Sequence, residues 1–269
     1  METPDALGII AGSGVYPLLL ADSARKSGVK RIVAAAFIGE TDPGLAEKVD
    51  AIEWMRVGQL ARLLTFFRGA DVSKAMMAGQ IAPGNLFVLR PDWKALLLLA
   101  RLKRRNAESI FGAIAEELSR SGVELLPAFT FLEECLAQPG VIAGPALTRH
   151  EEADVDFGFA IAKEVSRLDI GQTVVVRNGT VLAVEAFEGT NEAITRGGAL
   201  VRKAAVMVKV AKPNQDMRFD VPVIGVQTVI VGAKVRLRVI AVEAARTLLL
   251  ERKRMVEAAD HARISIVAR

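Results

Sequence analysis

The stretch from Val206 to Gly225 (VMVKVAKPNQDMRFDVPVIG) gathers residue types that can act on a charged ligand. An apolar run, Val206–Val210, reads as a buried strand carrying one lysine, Lys209. Lys212-Pro213-Asn214 ends it as a turn. Asp216, Arg218 and Asp220 then occupy every second position. If that piece is extended, all three side chains point to one face, and Phe219 and Val221 to the other. Pro222 keeps the segment off a central strand position, so an edge or a loop is expected. Two carboxylates around an arginine, with Lys209 and Lys212 just upstream, suit holding a divalent cation against a phosphorylated ligand. A solvated turn after a strand accounts for the same spacing equally well.

Elimination narrows the chemistry. The 269 residues include two histidines, His150 and His261, and one cysteine, Cys135. A Cys/His zinc site is therefore disfavoured, and a histidine-based triad has only those two residues to draw on. Carboxylates, lysines and arginines must do the work, with a hard cation. A net charge of +4 fits an anionic ligand or a membrane surface but is too weak to argue for nucleic acid. One tyrosine and two tryptophans are poor material for stacking bases. A single cysteine excludes an internal disulfide and points to a reducing compartment. The start of the chain shows no basic segment followed by an apolar one of secretory length, and the run Ala95–Ala100 is too short to span a bilayer. A soluble, cytoplasmic protein is expected.

The elements that must position these groups fall into two halves. Leu7–Ala11 reads as a strand, followed by Gly12-Ser13-Gly14 and a helix from Pro17 to Gly28. Arg31–Phe37 and Val49–Met55 read as strands, Gln59–Arg68 as a helix, and Lys74–Ala78 as a strand ending at Gly79. Alternating strands and helices predict a Rossmann-like parallel sheet with helices on both faces. The glycine turn lies where such folds bind phosphates, though the third glycine of the dinucleotide fingerprint is absent and the acidic residue after the second strand, Glu40, comes late. A tight turn is the competing reading. Asp92–Arg105 reads as a helix capped by Asp92. Its leucines Leu96, Leu99 and Leu102 are expected to pack, leaving Arg101, Lys103, Arg104 and Arg105 as a wet basic face; rest on an anionic membrane is the alternative. Glu108–Ser121 is a helix and Val123–Leu126 a strand.

Gln138–Pro145 (QPGVIAGP) reads as a linker, giving domains at 1–140 and 141–269. The second half is expected to be α+β and to carry the aspartate motif. Its helix Glu151–Leu168 is followed by runs Gln172–Arg177 and Thr180–Phe187 joined by Asn178-Gly179, the signature of a type I′ hairpin. Thr190 is placed to cap a helix running to about Val201, and Thr190 and Asn191 could contact a sugar or phosphate there. Thr228–Val235 and Glu251–Arg263 follow as helices, Arg238–Val242 and Ile264–Val267 as strands.

Several segments together resemble one family: LGIIAGSG (7–14), FIGETDP (37–43), MAGQI (77–81), DIGQTVVVRNGTVLAVEAFEGTNEAI (169–194), VKVAKPNQDMRFDVPVIG (208–225) and IAVEAARTLLL (240–250). They are similar to the LpxI-type UDP-2,3-diacylglucosamine pyrophosphatases of lipid A synthesis. The resemblance implies a cytoplasmic, Mg²⁺-dependent hydrolase that releases UMP and 2,3-diacylglucosamine 1-phosphate from a nucleotide-linked glycolipid. It also implies a homodimer; the leucine-rich helices of 92–118 could add peripheral contact with the inner membrane. The family's essential aspartate falls on Asp220 by its RFDVP context, with Asp216 or Glu188 as helpers to the metal. Lys209 and Lys212 would offset negative charge in the transition state. Gly12, Ser13, Gly14 and Gly79 would face the nucleotide or diphosphate, Gln172, Thr190 and Asn191 the sugar or phosphate, and an apolar groove between the domains the acyl chains. One departure stands out: Ala245-Arg246 occupy a place where the resemblance leads one to expect a glycine-containing turn. A nucleotide-dependent oxidoreductase and a non-catalytic nucleotide- or lipid-binding protein are the rival readings.

Overall fold

The computed structural model describes residues 3–81, 91–103, 106–201 and 204–269; Arg104 and Arg105, assigned above to a basic helix end, lie outside them. The chain forms two compact units, Met1–Leu132 with Asp216–Asp220, and Glu133–Gln215 with Val221–Arg269. The aspartate motif thus groups with the first unit, not with the second.

The first unit runs β1 (Ala6–Ala11), α1 (Tyr16–Lys26), β2 (Arg31–Phe37), β3 (Ala51–Met55), α2 (Leu60–Gly69), β4 (Lys74–Ala78), α3 (Trp93–Arg101), α4 (Ala107–Arg120) and β5 (Glu124–Leu125). Its sheet has the order β3-β2-β1-β4-β5, and each pairing is parallel. Helices cover both faces of such a sheet, which is why β1 and β2 are almost continuously apolar and buried. Strand periodicity sends Ile10, Val33, Ala35, Phe37, Ala75 and Met77 to one face, where they pack with α2, α3 and α4. Strand order changes sense between β1 and β4, successive strands being added to one side of β1 and then to the other, and such a switch point is where open α/β sheets take ligands.

Two helix starts share one residue. Asp92 Oδ1 accepts from the Ala95 amide (2.9 Å), capping α3, and Oδ2 accepts from the Ala61 amide (2.6 Å) in the first turn of α2.

The second unit runs β6 (Gly140–Ala143), α5 (Arg149–Arg167), β7 (Thr173–Arg177), β8 (Thr180–Val184), α6 (Thr190–Ala199), β9 (Val206–Lys209), β10 (Val223–Ile224), α7 (Val226–Lys234), β11 (Val239–Val242), β12 (Leu248–Leu249), α8 (Arg252–Ala262) and β13 (Ser265–Ala268). Six strands form a mixed sheet in the order β6-β13-β11-β9-β7-β8, while β10 and β12 pair separately. The middle strands β13, β11 and β9 are parallel, joined through α7 and α8. Val206 and Val208 pack on the face covered by α5, and Met207 on the face covered by α6, α7 and α8. By the same alternation Lys209 points to the α6 side.

The expected hairpin forms. Asn178 (φ 48°) and Gly179 (φ 68°) both take the left-handed region that a type I′ turn requires. Asp154 of α5 seals it, accepting from both backbone amides at 2.8 Å.

Two expectations change, and the choice left open at Asp216–Asp220 falls to the turn. The stretch Gln138–Pro145 is not a linker: Gly140–Ala143 pairs antiparallel with β13 as an edge strand. Its glycines and prolines bend the chain at the two ends of that strand, Gly140 and Gly144 both having positive φ. Asp216–Asp220 is not extended, because the amides of Phe219 and Asp220 both bond the Asp216 carbonyl (3.3 and 3.1 Å) and close a turn. Thr190 is not a cap: Gly189 occupies that position, and Thr190 begins the helix with its hydroxyl engaged elsewhere. Ala245 has a φ of 56°, so the position where a glycine turn was expected keeps a glycine-like backbone without the glycine.

Candidate functional site

At the switch point of the first unit, the loops after β1 and β4 cross at close range. The Ser13 amide donates to the Gln80 carbonyl (2.7 Å), the Gln80 amide to Ser13 (3.3 Å), and the Ser13 hydroxyl also to Gln80 O (2.9 Å). A side chain on Gly12 would strike the Gln80 backbone, and a Cβ on Gly79 would lie 2.5 Å from the Ser13 carbonyl at a φ of +90°. These two glycines serve the crossing itself. Gly14 differs, with a φ of +88° but open space where its Cβ would be. Gly79→Ala should therefore lower stability well beyond the roughly 1–2 kcal/mol that left-handed backbone costs, and Gly14→Ala only by about that amount. Urea denaturation of both variants measures the difference.

Beside Gly14 an open groove of about 670 Å³ is lined by Gly39, Glu40, Thr41, Asp42 and Trp54 among others. On the α2-α3-α4 side of the same sheet lies an apolar cavity of about 100 Å³. Ile10, Phe37 and Met77 reach it from β1, β2 and β4, and Leu63, Leu98 and Phe111 from the covering helices. A cavity so lined stays dry and favours hydrocarbon.

The turn of Asp216–Asp220 rests on this unit. Met217 O accepts from the Ala128 amide (2.7 Å), and Phe219 stacks on Phe111 with centroids 5.8 Å apart. Arg218 grips Asp216 with two nitrogens, Nε to Oδ1 at 2.9 Å and Nη2 to Oδ2 at 2.6 Å. That pairing holds the Asp216 carboxyl below the usual range, over the opposing effect of partial burial. The Asp220 side chain is half-buried.

In the second unit the charged groups collect at the carboxyl ends of β9 and β11. Lys209 is 8% exposed, and its Nζ donates to Thr190 Oγ1 at 2.7 Å. Thr190 Oγ1 donates in turn to Glu185 Oε1 (2.8 Å). Burial pushes the Glu185 carboxyl up, but the Lys209 charge and hydrogen bonds from Thr173, Thr190 and the Gln172 amide outweigh it, leaving Glu185 below its ordinary value. Lys212 pairs with Asp169. Lys163 of α5 bonds Glu243 Oε2 (2.6 Å) and the Ala211 carbonyl (3.0 Å), and the Ala211 amide bonds the same Glu243 oxygen (2.8 Å). Gln172 stands next to Lys209 through its carbonyl, which accepts from the Val210 amide (3.0 Å), whereas Asn191 is exposed on the first turn of α6. Glu188, proposed as a helper to a metal, instead pairs with Arg196 at 2.6 Å.

Sequence reasoning missed Glu185, Lys163 and Glu243. Glu185 sits just beyond an edge strand and Glu243 just beyond β11, so each looked like an ordinary solvated strand end. A buried lysine on β9, which needs a nearby carboxylate, was the available signal.

A first unit with a Rossmann-type switch point and an apolar cavity, and a second with lysines and carboxylates at the ends of parallel strands, define an α/β protein suited to a ligand that is part phosphate and part hydrocarbon. Residues 6–135 match the LpxI N-terminal domain and residues 138–267 the LpxI C-terminal domain. The chain belongs to the LpxI family. The UDP-2,3-diacylglucosamine pyrophosphatase LpxI of Caulobacter vibrioides is 30% identical over 265 residues, covering 94% of both chains. Among solved structures, the biotin carboxylase domain of Hydrogenobacter thermophilus 2-oxoglutarate carboxylase shares 13% identity over 67% of this chain and 36% of that one, at a TM-score of 0.28, too slight a likeness to bear on the site.

Proposed function

We propose that this chain hydrolyses the pyrophosphate bond of UDP-2,3-diacylglucosamine, releasing UMP and 2,3-diacylglucosamine 1-phosphate for lipid A biosynthesis. What carries the reading, in a chain of the LpxI family, is the presence of an apolar cavity on the sheet whose switch point bears the Gly12–Gly14 turn. Hydrocarbon suits the cavity, and the nucleotide suits the groove beside Gly14. The protein works in the cytoplasm as a homodimer and meets its lipid at the inner membrane.

A magnesium requirement is consistent with the donors present, in a limited way. Among the described residues no three His, Cys, Asp or Glu side chains gather into a ready cluster. Mg²⁺ commonly takes one or two carboxylates and completes its shell with water and substrate phosphate, so an incomplete protein set is compatible with it. Asp220 would hold the ion; Asp216, engaged by Arg218, is the weaker second candidate. When bound, the ion supplies Lewis-acid polarisation of phosphoryl oxygen and a more acidic water. The chain's own cations do the rest. Lys209, fixed by Thr190 and Glu185, presents a charge whose direction is set before substrate arrives, and pre-oriented charge is what stabilises a phosphoryl-transfer transition state. Lys212 adds a second positive charge. Gln172 and Asn191 supply polar contacts to sugar or phosphate. Ser13 offers its hydroxyl oxygen, its proton being given to Gln80.

Incubating the purified chain with UDP-2,3-diacylglucosamine tests the reading directly. UMP should appear, stop on addition of EDTA and resume with excess Mg²⁺. Absence of UMP would overturn the activity; UMP release indifferent to EDTA would overturn the metal.

A further inference from the structure

Helix α3 is apolar on two opposite faces. Inward, Ala95 and Leu98 are buried and, with Leu99, line the apolar cavity. Outward, the exposed residues are Trp93, Leu96, Leu97, Ala100 and Arg101. Trp93 is 62%, Leu96 55% and Leu97 50% exposed. Spacings of three and four place Trp93, Leu96, Leu97 and Arg101 on one side of the helix. A helix that merely packs on a core turns a polar face to water, and three large apolar side chains grouped on a surface mark a docking site.

We propose that this outer face of α3 seats the protein on an anionic phospholipid bilayer, with Trp93, Leu96 and Leu97 in the interfacial layer and Arg101 on headgroup phosphates. Tryptophan favours the headgroup level, where its ring is half in hydrocarbon. Arg101, with exposed Lys103 just beyond the helix, matches anionic headgroups, and no acidic residue lies on the outward face. A second copy of the chain fits less well. The face offers three large side chains where a stable pairing buries about 800 Å² per partner. A two-fold pairing would also bring like cations together without an acid to match them. The other side of the same helix lines the cavity, so docking there holds that cavity close to the lipid phase. The inference deepens the proposed function by naming the surface that meets the lipid, and its binding test needs no substrate.

Vesicles of phosphatidylcholine, with and without phosphatidylglycerol, are the probe. In a Trp54→Phe background, Trp93 is the sole tryptophan and reports directly. Its emission should shift to the blue and be quenched by brominated lipid, more strongly on vesicles containing phosphatidylglycerol. Leu96→Ser/Leu97→Ser should weaken co-sedimentation about tenfold or more. Arg101→Gln should weaken binding to the anionic vesicles alone. Both variants should retain UMP release from detergent-dispersed substrate. An unshifted Trp93, or equal vesicle binding by the double-serine variant, overturns the proposal. So does a dimer in solution that the double-serine variant dissociates, which would assign the face to a second copy. Vesicle binding without hydrolysis would instead count against the proposed reaction and leave the docking surface standing.

Discussion

Asp220→Ala is expected to lower kcat on the order of a thousandfold while leaving the fold in place. The size follows from losing the carboxylate that anchors the ion, since a preorganised charge at a phosphoryl-transfer centre contributes several kcal/mol to the transition state. The turn should survive because other atoms close it: the Asp216 carbonyl, the Ala128 amide on Met217, the Arg218 grip on Asp216 and the Phe219–Phe111 contact. Stability should therefore fall far less than activity does. Steady-state UMP release and a thermal melt on the same preparation separate the two effects. KM should change little if the aspartate acts mainly in the transition state. Wild-type turnover in the variant would end the assignment of Asp220.

Lys209→Met should damage both activity and stability, for reasons that can be pulled apart. Losing a fixed cation is worth roughly a hundredfold in kcat. The methionine also leaves the half-buried Glu185 without the charge that reaches it across Thr190, a loss of about 1–3 kcal/mol. In the native protein the Glu185 carboxyl lies below its ordinary value, so its contribution to stability is present above the usual carboxylate range and fades as pH falls through the native value. Without Lys209 only the hydrogen bonds from Thr173, Thr190 and the Gln172 amide oppose burial, and that carboxyl moves upward. The variant's deficit should then be greatest near neutrality and shrink in acid. Pairing Lys209→Met with Glu185→Gln should recover most of the stability and none of the turnover. Urea titrations at neutral and acid pH, alongside UMP assays, check both halves. A double variant that regains activity would reduce Lys209 to a structural lysine.

Local chemistry made much of this molecule legible. Asn178-Gly179 could hardly be anything but a tight hairpin, and Arg31–Phe37 and Lys74–Ala78 were bounded by glycine and charge at the residues where the strands stop. Asp92 was a cap in the sequence and is one in the fold. What failed depended on partners remote in the chain. Thr190 has the right side chain for a cap, but Lys209 and Glu185 compete for its hydroxyl. The prolines and glycines around 138–145 resemble a linker until β13, more than a hundred residues later, supplies the strand they flank. At 216, 218 and 220 the alternating charges left an extended piece and a turn equally open, and the Arg218–Asp216 grip with two amides on one carbonyl decides for the turn. The outward leucines of α3 were expected to pack because periodicity alone does not say which side of an apolar helix meets the core.

Asp92 gives the roof of the apolar cavity one fixed corner. Since a single carboxylate pins the starts of α2 and α3 together, those helices cannot part at that end without stranding two backbone donors. Any widening to admit a long hydrocarbon must come from splaying at the opposite ends, like a pair of tongs with its rivet at residue 92.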